Sequence, residues 1–167
     1  MEDVLLSDGV ISLRPITVAD AQAHLAGEDS ELVRWSGGGA STLEGVIADF
    51  ERGADEAHTR TFAIVELADD TMVGGLGVQT KRPYLAAGQA SLVYGLYPEW
   101  RGRGLATRAV VLGCRFLART GLAEEAVLRI NPANTASVFV AHRAGFHFFR
   151  SSNEPEEGPL DWYYQAV

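Results

Sequence analysis

Tyr97-Pro98-Glu99-Trp100-Arg101-Gly102-Arg103-Gly104-Leu105-Ala106-Thr107 is the stretch on which the reading of this chain turns. It lies between a run that reads as a strand, ASLVYGLY from Ala90 to Tyr97 and stopped by Pro98, and a helical run from about Gly104 to Thr120. The first amides of a helix have no intrahelical acceptors, and the helix dipole adds about half a positive charge there. Gly102 and Gly104 bring the backbone close to a ligand, and Arg101 and Arg103 bring full charges. The combination suits a pyrophosphate.

The glycines also invite comparison with a dinucleotide-binding fingerprint. The pattern here is G-x-G-x-x-T, with Thr107 in the place of a third glycine or alanine, and it comes late, after strands that look antiparallel. A nicotinamide cofactor would call for an acidic ribose ligand about 20 residues further on. Glu124 and Glu125 fall there, but they precede the next strand instead of ending it.

Working outward, Gly9 to Thr17 reads as a first strand, with Thr17 or Asp20 capping a helix. Ser30 to Trp35 is a short helix running into the glycine loop Gly37 to Gly39. Ser41 and Glu44 form an S-x-x-E capping box for a helix through about Arg52. TFAIVEL from Thr61 and MVGGLGV from Met72 pair as a hairpin across Asp69 and Asp70. After the 104–120 helix, whose Leu105, Ala109, Leu112 and Phe116 form an apolar stripe, come a strand from Ala126 to Ile130 and a helix capped by Asn134. Phe146 to Ser151 and Leu160 to Val167 are the last strands, separated by SNEPEEG. The order predicts one three-layer α/β domain spanning residues 1–167.

The net charge of -8 argues against nucleic acid as a partner. The charge is unevenly spread: residues 1 to 70 carry 15 acidic and 4 basic side chains, whereas residues 71 to 153 carry 3 and 10. That division points to an anion bound by the middle of the chain and a cation approached by its edges. No apolar run is long enough for a membrane helix, and MEDVLLSDG lacks the basic start of an export signal. The single cysteine, Cys114, forms no internal disulfide and fits a reducing cytoplasm. It reads as a small buried side chain within AVVLGCRFLA. No CxxC, HExxH or P-loop pattern occurs, and no metal is expected.

PEWRGRGLAT resembles the R-x-x-G-x-G/A pyrophosphate loop of the GNAT superfamily of N-acetyltransferases, with Arg101, Gly104 and Ala106 at its marked positions. NPANTASVFVAHRAGF resembles the family's second signature through Asn134, Ser137, Gly145 and Phe146. With the first and last strands the resemblance covers nearly the whole chain, and it looks closest to the RimJ/RimL-like branch, which acetylates protein N-termini and includes relatives acting on small amines and antibiotics. It implies a mixed, mostly antiparallel twisted sheet of about seven strands with a central V-shaped splay, and about four helices. It implies acetyl-CoA as cosubstrate, held by Leu96, Tyr97, Arg101, Gly102, Arg103, Gly104, Leu105, Ala106, Thr107 and Asn134. Unpaired N–H and C=O groups of Leu96 and Tyr97 would bond the pantetheine amides. Ser137 would be the catalytic residue, assisting the departing sulfur as hydrogen-bond donor or acid. The implied partner is a peptide N-terminus or a small amine, and a homodimer stands open by analogy alone.

The chain departs from this pattern twice. The position of the family's usual acidic tyrosine holds Ala141, which makes Ser137 the better candidate, and the branch's usual glutamate position holds Ser91. Glu99, Glu66, His24, His58, His142 and His147 are the other groups able to take a proton. Trp35, the glycine run and the loop Gln79 to Gly88 are expected to border the acceptor pocket, with Trp35 and Trp162 equally suited to the core. The competing reading is a binding or sensor module that keeps CoA binding without turnover.

Overall fold

The computed structural model describes residues 6–36, 41–55 and 57–167. Eight strands form one sheet: β1 (Leu6–Ser7), β2 (Ile11–Pro15), β3 (Thr59–Glu66), β4 (Thr71–Thr80), β5 (Gln89–Leu96), β6 (Glu125–Ile130), β7 (His147–Glu154) and β8 (Gly158–Ala166). Their spatial order is β1-β2-β3-β4-β5-β6-β8-β7, and every neighbouring pair is antiparallel except β5 and β6. The five helices are α1 (Ala21–Gly27), α2 (Ser30–Ser36), α3 (Leu43–Asp55), α4 (Leu105–Thr120) and α5 (Thr135–Arg143).

Alternation along the strands splits the core into two layers. Phe62 and Ile64 of β3, with Ala90, Leu92 and Leu96 of β5, bury against the apolar stripe of α4, where Leu105, Ala109, Leu112 and Phe116 all lie inside. The alternate residues Ala63 and Val65 face the other way, where Ile16, Phe50 of α3 and Met72 pack on them. Gly113 brings α4 onto the sheet: an added Cβ there would stand 3.3 Å from Leu76 and 3.4 Å from Leu92. On the α3 side, Leu32 of α2 fills the space above Gly95, where an added Cβ would be 2.4 Å from its side chain.

The structure amends the expected elements in several places. β1 is an additional strand too short to carry a periodic signal, and it brings the sheet to eight strands with five helices. The cap of α3 comes from Thr42, whose Oγ1 accepts the Gly45 N–H at 3.1 Å, while the Ser41 N–H is given to Glu28 Oε1. The expected Ser41 cap is therefore displaced by one residue. The final hairpin is tighter than expected, because β7 continues to Glu154 and β8 begins at Gly158. The glycine run 37–39 lies outside the described residues.

The feature that positions the site is the limited contact between β5 and β6. They share only the register pairs Gln89 with Glu125, Ala90 with Ala126 and Ser91 with Val127. Beyond Ser91 the strands part, leaving the V-shaped splay. On its other edge β5 stays paired with β4 to its end, where Gly74 faces Leu96. There an added Cβ would stand 2.1 Å from the Gly95 carbonyl oxygen, a clash with backbone that cannot give way. Gly74→Ala is expected to cost about 1–3 kcal/mol through overpacking, read as a lower denaturant midpoint with unchanged slope.

Candidate active site

The loop after β5 makes one turn of 3-10 helix, Pro98–Trp100, and then passes through Gly102 and Gly104, at φ of 76° and 77°, to enter α4. An added Cβ at either glycine would meet nothing within 4 Å. Their need for glycine is thus conformational, since an L side chain rarely adopts that φ, and the loop stands open to a ligand. Gly104 is the N-cap of α4 and supplies no side-chain cap, and the first intrahelical bond runs from the Arg108 N–H to the Gly104 carbonyl. The amides of Leu105, Ala106 and Thr107 precede that bond, so the helix leaves them for an external acceptor.

The two arginines of the loop differ from each other. Arg103 is exposed and stacks its guanidinium over Trp100 at 4.9 Å from the ring centroid. Arg101 turns away from the loop mouth and grips the turn between α1 and α2: Nη1 and Nη2 reach the two oxygens of Asp29 at 2.7 and 2.8 Å, and Nη1 also reaches Glu31 at 2.9 Å. Its Nε donates to the Leu96 carbonyl at 3.1 Å. The Arg101 guanidinium, with help from the Leu32 N–H, pulls the Asp29 carboxyl down to about 2. Arg101 is thus the strut that holds the loop's shape, and the sequence reading missed Asp29 and Glu31 because nothing local links residues 72 and 70 positions apart.

The expectation of free backbone groups at the end of β5 is corrected. The Tyr97 N–H donates to Val73 O and its carbonyl accepts the Trp100 N–H, so both groups are spent within the protein. The Leu96 carbonyl is taken by Arg101. Because successive strand residues turn their polar groups to opposite edges, those of Tyr94 and the N–H of Leu96 face the splay. The Tyr97 ring packs at the other face, above Gly27, with its hydroxyl 3.0 Å from His24 Nδ1.

On the far arm of the V, Asn134 caps α5 through Oδ1, which accepts the Ser137 N–H at 3.3 Å. The sequence expected that side chain to hold the cosubstrate; here its acceptor atom is occupied by the helix and only its amide nitrogen is left by the cap. Ser137, half-buried in the first turn of α5, lies beside Tyr94 of β5. The Tyr94 hydroxyl is fully buried, and burial pushes its pKa up to about 12, with Ser137 pulling the other way. The two hydroxyls do not meet in hydrogen-bonding geometry, so the Tyr94 oxygen has no partner among the described residues. Tyr94 was missed by sequence reasoning. A tyrosine at a core-facing position of a strand reads as packing, and only the fold shows that its tip is orphaned.

The remaining proton acceptors are placed away from the splay or are spent. Ser91, in the usual glutamate position, is buried at 1% exposure. Glu66 sits at the Asp69–Asp70 hairpin and accepts the Asp69 N–H, and Glu99 is exposed. Burial lowers the His24 pKa against the pull of Glu28, which favours the neutral ring beside Tyr97. His58, His142 and His147 are exposed. Cys114 is half-buried with its thiol pushed up to about 11 by burial, the state of a packed side chain.

The loop between β4 and β5 folds Tyr84 and Leu85 over Val127, Leu160 and Trp162. Trp162 is a core residue, 4% exposed, with its indole N–H on Ser152. Arg129 of β6 stacks on Tyr84 and Trp162 at 3.7 and 4.7 Å and pairs with Glu157. Trp35 is half-buried beneath the Arg34 guanidinium. Among the described residues no group of three His, Cys, Asp or Glu side chains could hold a metal ion, and no helix is long and apolar enough to cross a membrane.

A splayed parallel pair with an open helix N-terminus at its base is the arrangement that the resemblance to the GNAT superfamily implies. Residues 11–147 match the model of the acetyltransferase (GNAT) domain, and the chain belongs to that family of acetyltransferases. Among solved structures it is similar to a GNAT-family acetyltransferase from Bacillus anthracis, at 16% identity over 98% of each chain with a TM-score of 0.83. It is also similar to RimL, a ribosomal-protein alpha-N-acetyltransferase in complex with coenzyme A, at 15% identity over 98% of each chain, TM-score 0.80. A third is the aminoglycoside acetyltransferase AAC(6')-Ib with coenzyme A, at 18% identity over 93% of this chain and 94% of that one, TM-score 0.81. No curated protein matches the sequence.

The Arg101–Asp29 strut carries a signature in pH. The Asp29 pKa in the folded chain lies below its ordinary 3.8, so the pair's contribution is present above that value and is lost as the pH falls towards about 2. Arg101→Ala is expected to lower stability by a constant amount above pH 4, and the gap to the parent is expected to close as the pH approaches 2. Urea melts of the two proteins across that range check it.

Proposed function

We propose that this protein transfers the acetyl group of acetyl-CoA to a primary amine by direct attack, with no covalent enzyme intermediate. The observation that carries the reading is the open first turn of α4 at the foot of the splay: its uncapped amides and the two positive-φ glycines form a cradle whose electrostatics suit a pyrophosphate. The site's residues fit the cosubstrate in three further respects. Arg103 lies at the loop surface, where its charge can reach a phosphate. The N–H of Leu96 and the polar groups of Tyr94 line the unpaired edge where pantetheine amides would bond. Ser137 stands on the opposite arm, placed to donate a hydrogen bond to the sulfur as the C–S bond breaks. Structural neighbours bound to coenzyme A support the assignment.

The acceptor is an amine that is neutral in a sizeable fraction near neutral pH. Ser91 cannot take its proton, and His24 is half-buried against Tyr97 and Phe50. An α-amine, with a pKa of about 7.7–8.0, needs little help from a base, whereas a lysine amine near 10.4 needs a great deal. A peptide N-terminus or a small molecule of similar basicity therefore suits the site better than a lysine side chain. Holding amine and thioester together supplies about 7–11 kcal/mol of the barrier lowering without any base.

Two measurements test this reading. Coenzyme A is expected to bind with at least about tenfold higher affinity than pantetheine, which lacks the phosphates, and Gly104→Val is expected to erase most of that difference. Equal binding of the two by the parent protein, followed by calorimetry, would remove the pyrophosphate cradle. In a thiol-release assay with α-amino peptides, kcat/KM is expected to rise with the ionisation of the amine itself, at about 7.7–8.0, and to show no separate step near the ordinary histidine value. Tight binding of coenzyme A with no turnover across peptides, polyamines and aminoglycosides would instead establish a CoA-binding module.

A further inference from the structure

The orphaned hydroxyl of Tyr94 has no structural purpose in the protein as it stands. Burying a hydroxyl without a partner costs stability that a phenylalanine at the same place would keep. Its ring packs against the core with Leu92 and Leu96, so the apolar part of the residue is accounted for, and the oxygen is the part that needs explaining. It sits on the diverging segment of β5, past the last register pair with β6, and the polar side chain beside it is Ser137 at the start of α5. The two hydroxyls thus belong to the opposite arms of the V. Ala141, buried within α5, offers no polar group of its own.

We propose that Tyr94 is a positioning residue for the leaving group: its O–H donates to Ser137 Oγ and thereby turns the Ser137 proton towards the sulfur of CoA. This rests on the acetyltransferase reading above. A lone serine hydroxyl can rotate freely and divide its proton among acceptors. With Tyr94 donating to its oxygen, the one remaining hydrogen of Ser137 points away from Tyr94 and into the splay. As the amine nitrogen forms its bond to the acetyl carbon, the C–S bond breaks with its electron pair passing to sulfur. The sulfur leaves as a thiolate that accepts the Ser137 hydrogen bond, and the proton shed by the amine passes to solvent. Neither hydroxyl loses its own proton, so the high pKa of the phenol is no obstacle. The bond between the hydroxyls forms when a negative sulfur polarises Ser137, since bonds in such a chain strengthen one another.

The test uses Tyr94→Phe, which deletes only the oxygen. The variant is expected to be at least as stable as the parent, because it removes an unpartnered buried group; a marked loss of stability would show the hydroxyl already satisfied and would overturn the proposal. The decisive readout is the thiol of bound coenzyme A, titrated by its ultraviolet thiolate absorbance against desulfo-coenzyme A. Tyr94→Phe is expected to raise the pKa of that thiol by about one pH unit, a tenfold change, with the affinity for coenzyme A nearly unchanged. Ser137→Ala is expected to raise it at least as far, and the double variant no further. An unchanged thiol pKa in Tyr94→Phe, or additive shifts in the double variant, would overturn the inference while leaving the acetyltransferase reading intact. If the parent protein does not bind coenzyme A at all, the functional reading falls and this inference falls with it. With an acceptor in hand, Tyr94→Phe is expected to lower kcat about tenfold at constant KM for acetyl-CoA, whereas a change confined to KM would make Tyr94 a wall of the pocket only.

Discussion

The structure depends on how little β5 and β6 have in common. Three register pairs join them, and everything that gives the molecule a site follows from the place where the pairing stops. Up to Ser91 the two halves of the sheet are one surface over which α4 packs its apolar stripe. Past it, β5 is held from one side by β4 and β6 from one side by β8, so each arm keeps a rigid partner while the inner edges stay unpaired. An unpaired edge in water invites a strand-like ligand, and pantetheine, with its two amides, is a short mimic of one. The loop at the end of the β5 arm and the helix beyond the β6 arm then supply the remaining chemistry.

That loop is built from two separable properties. Its conformation requires glycine at 102 and 104 because the backbone enters the left-handed region there, and the affinity for an anion proposed for it would come from amides that α4 leaves uncapped. Neither depends on Arg101, whose charge is consumed by Asp29 and Glu31. Arg101 instead connects the turn between α1 and α2 to the end of β5, so those helices and the glycine loop are fixed to each other through one guanidinium. A similar division of labour holds at Asn134, whose carboxamide oxygen shapes the start of α5 and so places Ser137.

Much of this was legible in the sequence because the signals were local. Gly102, Gly104 and the apolar stripe of α4 announced the strand-loop-helix unit, Asn134 announced α5, and Asp69-Asp70 the hairpin. Where the expectation slipped, the deciding partner was distant or the competition was between neighbours. Thr42 caps α3 in place of Ser41, whose N–H is turned to Glu28 on another element. The role of Arg101 depended on carboxylates on another element, and the backbone groups of Tyr97 were spent on Val73 and Trp100. Tyr94 illustrates the limit most clearly. Strand periodicity predicts that its ring faces the core, yet whether its oxygen finds a partner is a property of the whole fold.

The internal neutralisation of Arg101 also has a kinetic meaning. A full positive charge held at a loop mouth draws an anion from a distance of about 8–10 Å, the screening length of a physiological solution, whereas the partial charges of helix amides act only within about one turn. With the Arg101 guanidinium already matched by two carboxylates and a net charge of -8 on the chain, long-range attraction at the loop would rest on the exposed Arg103 instead. The uncapped amides of the proposed cradle would recognise a phosphate on contact, and selectivity there would reside in how slowly a correctly seated ligand leaves.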